Sequence, residues 1–331
     1  MLMSGGARVL DRARGRVFGA VGRLPAAQTL ARRRGLRLAV VGAALVLLAF
    51  AGVATLPIVM LAIAPVVLGV PHVAADLRYL VLRRATLARR SWAPLAVAAV
   101  MCTVAAALGE LRLMIACGLG GVALAAALAE GRPARRALVT VAALALGGVA
   151  MLAPRTAAVS MAQAHNFIAV GLALWIVRDK MRAPWLPALL FSSCVAAIAL
   201  GALDAPLAAA LAHRGRAGAI FAGAVAPADA PSLVVIRAVG IFAFAQAVHY
   251  GAWLRLVPDG ERAGERPIGY RHSLALLRAD FGGATAIVII LSIALPLAAC
   301  FALADVRAGY FTLAAFHGYL ELAFVAAALA R

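Results

Sequence analysis

Lysine is nearly absent from this chain, and so are the signatures of most soluble enzymes. Of 32 basic residues only Lys180 is a lysine; with the excess of alanine, this reflects a GC-rich genome rather than function. The four cysteines, Cys102, Cys117, Cys194 and Cys300, have no CxxC spacing. That removes a thiol-based zinc or redox motif, and each cysteine is expected as a small core residue in an apolar run. No HExxH helix, G-x-S-x-G elbow or P-loop occurs, so zinc hydrolysis, serine hydrolysis and nucleotide binding lack their usual motifs. About 35 Arg-rich residues precede the first apolar run and no small-residue cleavage site follows, so no cleavable signal peptide is expected.

Long polar stretches are missing too. The 331 residues are 65% hydrophobic, with a mean hydropathy of +0.98, whereas a soluble domain is nearer half apolar because water wets its surface. Charges fall in short clusters between apolar runs, which makes the bilayer the natural solvent. The net charge of +19 would point to nucleic acid in a soluble protein. Here the cations flank apolar segments, so a positive-inside bias accounts for them and no nucleic-acid partner is expected.

The sequence therefore predicts an all-α transmembrane bundle, with residues 1–35 as a basic cytoplasmic segment and 36–331 as one membrane domain. Ten spans of bilayer length can be placed, at about 37–56, 57–82, 91–108, 111–129, 136–153, 156–177, 185–203, 232–255, 282–303 and 308–330. Pro57 alone separates the first two. The apolar piece Ala217 to Ala226 is too short to span and is expected to be re-entrant. With the N-terminus inside, twenty-five basic residues fall on inner segments and five on outer ones: Arg112, Arg155, Arg214, Arg216 and Arg307. Both termini are then cytoplasmic, as in a multi-pass protein of a bacterial plasma membrane. Residues 7–24 put Leu10, Val17, Phe18, Val21 and Leu24 on one stripe between arginines. This suits a helix on an anionic inner leaflet, or equally a disordered basic tail.

Ionisable groups inside hydrocarbon are costly and mark function. His72, His165, His249 and His317 lie within the second, sixth, eighth and tenth spans, which all run in the same direction. They sit roughly 10, 12, 6 and 13 residues from the inner ends, a height spread of about 10 Å. His213 and His272 are expected in solvated loops. Asp76 and Glu321 follow His72 and His317 by one turn, so each shares its histidine's face. Gln246 precedes His249 by three residues, and Gln163 and Asn166 flank His165. A metal-bound imidazole needs an acceptor for its second nitrogen, and these groups supply it; Asp76 or Glu321 is alternatively a direct ligand. Arg78 is expected to snorkel beside Arg83 and Arg84, and Arg237 to snorkel or to pair with Asp204 or Asp229. Trp92, Trp175, Trp185 and Trp253 are expected in an interfacial belt.

Imidazole ligands suit iron, copper, zinc and nickel alike. An all-histidine iron(II) site with open positions for dioxygen fits best, because it needs little acid–base machinery. A lipophilic substrate would reach it from the bilayer.

The segment Gly69-Val70-Pro71-His72-Val73-Ala74-Ala75-Asp76 resembles the G-x-P-H-G-x-x-D signature of the Brp/Blh family of membrane β-carotene 15,15′-dioxygenases. The run Phe242-Ala243-Phe244-Ala245-Gln246-Ala247-Val248-His249 is similar to that family's aromatic-rich helix ending in a ligand histidine, and His165 matches its mid-chain ligand. The resemblance implies a helical membrane bundle, a four-histidine iron centre and cleavage of a carotenoid to retinal. The chain departs from the pattern at Val73, where the family has glycine. It departs again at Trp253, where a second ligand would stand one turn beyond His249, and this puts the fourth ligand at His317.

Two other classes remain open from sequence. One is a haem-binding electron-transfer protein, since transmembrane histidines are ordinary haem ligands. The other is a transporter in which the His/Asp/Glu cluster relays protons.

Overall fold

The computed structural model describes residues 2–21, 23–84, 86–213, 232–265 and 268–331. It is 87% helical, and among the described residues it contains no strand. The apolar piece expected at Ala217 to Ala226 lies outside the described residues, as does Asp229.

Two helices near the N-terminus, α1 (Leu2–Val21) and α2 (Pro25–Arg32), precede α3 (Arg34–Thr55) and α4 (Pro57–Asp76). There follow α5 (Arg89–Ala107), α6 (Leu111–Ala127), α7 (Pro133–Leu152), α8 (Pro154–Val177), α9 (Trp185–Ala199) and α10 (Asp204–His213). The last four are α11 (Ser232–Gly251), α12 (Tyr270–Phe281), α13 (Ala284–Leu313) and α14 (His317–Ala330). Proline opens α2, α4, α7 and α8, where its missing N–H costs no helical hydrogen bond. Pro57 is therefore the break between α3 and α4 that the sequence implied.

Seven helical stretches are long and apolar enough to cross a membrane, or eight if the pair α9 and α10, bent by 65°, forms one span. The apolar α6 is shorter than these. The chain is thus an integral, multi-pass membrane protein. Many large apolar side chains point outward, among them Leu138, Leu152, Ile290 and Phe301, as a surface in contact with lipid requires.

Two of the histidine-bearing helices change pitch. After Asp76, α4 continues as a π-helical turn, Leu77–Leu82. After Gly251, α11 continues as a second π turn, Ala252–Leu256, and ends in a short helical piece, Val257–Gly260. Such π segments are rare and often accompany functional sites. The extra length of α11 puts His249 within one residue of the distance that separates His72 from its own helix end.

The apolar core forms two clusters. One gathers Cys102, Ile115, Ala173, Trp253, Ala323 and Phe324 around α5, α6, α8 and α14. The other gathers Val53, Leu61, Val170, Phe191, Phe242 and Phe244 around α3, α9 and α11. On α4 and α11 the membership changes from one cluster to the other across His72 and His249. The polar site lies at that junction.

Several sequence expectations need correction. No loop separates a ninth from a tenth span at 304–307: α13 bends at Ala302 (φ −144°, ψ 62°) and runs on to Leu313, and the chain breaks at 314–316 instead. Arg307 is consequently buried, and its Nε donates to the Leu61 carbonyl at 3.2 Å. Trp253 is also buried, donating its Nε1–H to the Ala169 carbonyl at 3.1 Å; Trp185 and Trp175 are exposed, as a belt requires. His272 is on exposed helix α12, not in a loop, and His213 closes α10. Of the cysteines only Cys102 is buried, and Cys300 is exposed on α13. Residues 2–21 are helical: Asp11 accepts from the backbone N–H groups of Tyr270 and Arg271 at the start of α12. The Tyr270 N–H holds the Asp11 carboxyl below its ordinary pKa.

One end of the bundle is tied together by arginine. Arg37 binds both oxygens of buried Asp259, at 2.7 and 3.0 Å, and donates to the carbonyls of Leu30, Ala31 and Glu265. Arg262 meets the same carboxylate. Arg237 pairs with Asp204 at 2.7 Å, the first of its two expected partners.

Candidate metal centre

The four intramembrane histidines converge. His72 on α4, His165 on α8, His249 on α11 and His317 at the start of α14 are all buried or nearly so. The His72 ring centroid lies 4.2 Å from that of His249 and 5.2 Å from that of His317. His165 lies 5.3 Å from His249 and 4.8 Å from His317. The rings form a closed quadrilateral, with each helix contributing one corner.

Local structure fixes the rings. At His165, Nδ1 is 3.0 Å from the Ala162 carbonyl; at His317, Nδ1 is 2.6 Å from the Ala314 carbonyl. At His249, Nδ1 is 3.0 Å from Asn166 Oδ1. A carbonyl oxygen only accepts, so for His165 and His317 the proton sits on Nδ1 and the Nε2 lone pair is left free. The Asn166 amide is oriented the same way, because its Nδ2 donates to the Ala162 carbonyl at 3.1 Å and so turns Oδ1 toward His249. Pro71 precedes His72 within α4, and Gly318 follows His317. A Cβ at position 318 would stand 3.1 Å from the His165 Cβ, so glycine there lets α14 approach α8 closely.

Two fully buried carboxylates complete the group. Asp76 Oδ2 is 3.2 Å from His72 Nε2, and Glu321 Oε1 is 3.5 Å from His249 Nε2. Neither contact has hydrogen-bond geometry. The carboxylate oxygens of Asp76 and Glu321, both ring nitrogens of His72 and the Nε2 atoms of His249 and His317 have no hydrogen-bond partner among the described residues. Among the described residues neither carboxylate pairs with an arginine or lysine. His72, Asp76 and His249 each present one ligand atom within 4.8 Å of the other two.

This donor set fits a divalent cation. Buried lone pairs that converge without a hydrogen-bond donor among the described residues carry a desolvation cost that a cation would offset. Two carboxylates and one divalent ion also sum to zero charge, which suits a hydrocarbon interior.

The expected supporting residues are redistributed. Asp76 lies beside His72, as their spacing implied. Glu321 lies beside His249 rather than its helix neighbour His317, and Asn166 serves His249 rather than the adjacent His165. Gln246 is buried but makes no hydrogen bond to His249, and its Oε1 has no partner among the described residues. Gln163 Nε2 donates to the Ala238 carbonyl at 3.1 Å, away from the rings.

Sequence reasoning missed two tyrosines and misplaced an arginine. Tyr250 is buried with its ring 4.9 Å from that of His72. Tyr310 packs on α4 where Gly69 has no side chain; a Cβ at Gly69 would overlap the Tyr310 ring. Arg307 stands one turn before Tyr310, its guanidinium 4.5 Å from the centre of the Phe311 ring. The only signal for Tyr250 was its adjacency to His249, and Arg307 and Tyr310 fell in or beside the segment read as an outer turn.

Fold and site together define a multi-pass helical membrane protein with a buried histidine–carboxylate cluster. No protein-family model, curated protein or solved structure matches the chain.

Proposed function

We propose that this protein is a membrane-embedded non-haem iron(II) oxygenase acting on a hydrophobic isoprenoid or lipid. His72, His165, His249 and His317 would be the iron ligands, with Asp76 and Glu321 balancing the charge and Asp76 near enough to join the ligand set. The observation that carries this reading is the orientation of the rings. Three of them spend Nδ1 on a carbonyl or amide oxygen, which leaves Nε2 for a metal. Bound iron(II) with open positions would supply the activation of dioxygen. The chain's own part is to hold the ligands rigid, exclude water with the two apolar clusters, and keep the site charge-balanced. The resemblance in the Gly69–Asp76 and Phe242–His249 segments places cleavage of a carotenoid to retinal among the reactions this reading covers, without selecting it over other lipids.

Imidazole and carboxylate also accept zinc or copper, and the absence of a zinc-hydrolase motif favours iron. The haem alternative is disfavoured by crowding: a porphyrin plane must pass between its two axial imidazoles, and these four rings pack edge to face against one another. We also propose ten crossings, counting α6, the bent pair α9 and α10, and the two parts of 284–330. Both termini and the arginine-rich ends would then be cytoplasmic, beside anionic lipids of a bacterial plasma membrane.

Metal analysis of the purified full-length protein and of single His→Ala variants tests the centre. One iron per chain in the wild type, lost or weakened in every variant, is expected. Wild-type protein without a stoichiometric transition metal would refute the reading, a strong Soret band would replace it with haem, and His317→Ala with full metal would remove the fourth ligand.

A further inference from the structure

A groove opens beside the histidine cluster, on the side where both π turns lie. Its volume is about 290 Å³, and its walls include Pro71, Arg78 and Tyr79 from α4 and its π turn, Trp253 below His249, and Ser292 and Ile293 from α13. None of the four histidines lines it, but Pro71 and Trp253 stand respectively next to His72 and one turn beyond His249. Ile293 is exposed, and it belongs to Ala284–Ala330, the most hydrophobic of the seven apolar stretches. The groove therefore opens sideways toward lipid rather than toward water.

One end of this apolar groove is charged. Arg78 Nε is 2.5 Å and Arg83 Nη2 2.9 Å from the same oxygen of Asp280. Both guanidiniums stand near Tyr79, at 5.3 and 5.9 Å from its ring centre. The third arginine nearby, Arg84, already has Glu261 at 2.9 Å. Two cations thus share one carboxylate at the mouth, and one positive charge is left in excess. An excess cation at the edge of hydrocarbon favours a mono-anionic head with an apolar chain behind it.

We propose that this groove binds a single-chain lipid carboxylate, its head at Arg78 and Arg83 and its hydrocarbon chain running past Trp253 toward His72. The groove holds part of one chain, the remainder lying against the lipid toward which the groove opens. From Arg78 back to His72 is six residues, about 9 Å along the helix, so the chain carbons nearest the cluster lie about that far from the head. This deepens the oxygenase reading by naming its substrate class, a charged amphiphile rather than a neutral hydrocarbon. It rests on that reading only for the reaction, not for the binding.

The test is tryptophan quenching by 9,10-dibromostearate in the detergent-solubilised full-length protein, because bromine quenches an indole that lies close behind the groove wall. Wild type should show a saturable component of quenching above the background from Trp92, Trp175 and Trp185. Trp253→Phe should lack it. Ser292→Phe, which fills the groove while leaving the indole in place, should lose it as well. Arg78→Gln should weaken binding about tenfold, as expected for loss of a charge-assisted contact. Unlabelled stearate should reverse the quenching, and stearyl alcohol should not.

Equal quenching in the wild type and Ser292→Phe, or equal competition by the alcohol, would overturn the proposal. The component should also persist in His317→Ala, where the metal site is disabled. Binding there, together with wild-type protein that lacks metal, would keep the groove and refute the oxygenase. Stoichiometric metal without any saturable component would do the reverse.

Discussion

Asn166 orients a histidine that is not its neighbour. It stands beside His165 on α8, yet its Oδ1 accepts from His249 Nδ1 on α11 at 3.0 Å while its Nδ2 is held by the Ala162 carbonyl. One amide thereby fixes the relation of two helices and the tautomer of a third-party ring.

Replacing that amide tests the centre directly. Asn166→Ala should reduce metal affinity by about 10–100-fold, the usual effect of losing a ligand's hydrogen-bond partner. Competition with a chelator of known affinity measures it. Gln163→Ala, three residues away but bonded to Ala238, should change affinity little. Equal effects from the two variants would mean that Asn166 acts through helix packing alone.

Removal of the proposed metal should destabilise the fold, because a cation held by four helices would bind only the assembled site. At free metal a hundredfold above Kd, linkage gives about 2.7 kcal/mol. Thermal unfolding of dialysed against reloaded protein would show this as a Tm lower by several degrees in the metal-free form. An unchanged Tm would argue that the four imidazoles hold nothing.

Gly69 should resist even a methyl group. An added Cβ overlaps the Tyr310 ring, so Gly69→Ala should cost about 1–3 kcal/mol through overpacking. The double variant with Tyr310→Ala should recover part of the loss, since the two residues share one contact. Denaturation curves of the single and double variants decide it.

Arg37 should be replaceable by no other residue. Its guanidinium grips both oxygens of Asp259 and three backbone carbonyls, geometry that an ammonium cannot reproduce. Arg37→Lys should therefore destabilise the protein. Arg37→Met should cost about 3 kcal/mol, the low end for a broken buried pair, because Asp259 keeps Arg262. Thermal unfolding of the two variants provides the comparison.

The legible and illegible parts of this protein divide along a physical line. Whatever depends on one helix was readable. Apolar length gave the helices, Pro57 gave a break, and the four-residue spacing gave His72 and Asp76 a shared face. Whatever depends on how helices pack against one another was not. Glu321 shares a face with His317 by the same spacing rule, yet α11 brings His249 to it. Trp253 looked interfacial because the sequence ended its span at 255, whereas the helix runs to Gly260 and buries the indole. Arg307 looked like a loop charge because arginine usually marks a span end. Its placement depends on α13 lying against α4, which no local pattern announces. The convergence of the histidines was legible from the common direction and depth that the spans were expected to have, but the partners of each ring required the packed bundle.

The two π turns have a consequence for how such a protein can vary. A π turn holds one residue more than the α-helix it replaces, so it offsets the angular phase of everything beyond it by about 100°. In both α4 and α11 that offset falls immediately after the segment that carries the buried histidine. The half of each helix that carries Asp76 or His249 is thus phased to its partners independently of the half that carries Arg78 or Arg255. Mutational drift can remodel the arginine-rich end without turning the histidine cluster out of register, and a one-residue deletion at Leu77–Leu82 would cancel that independence.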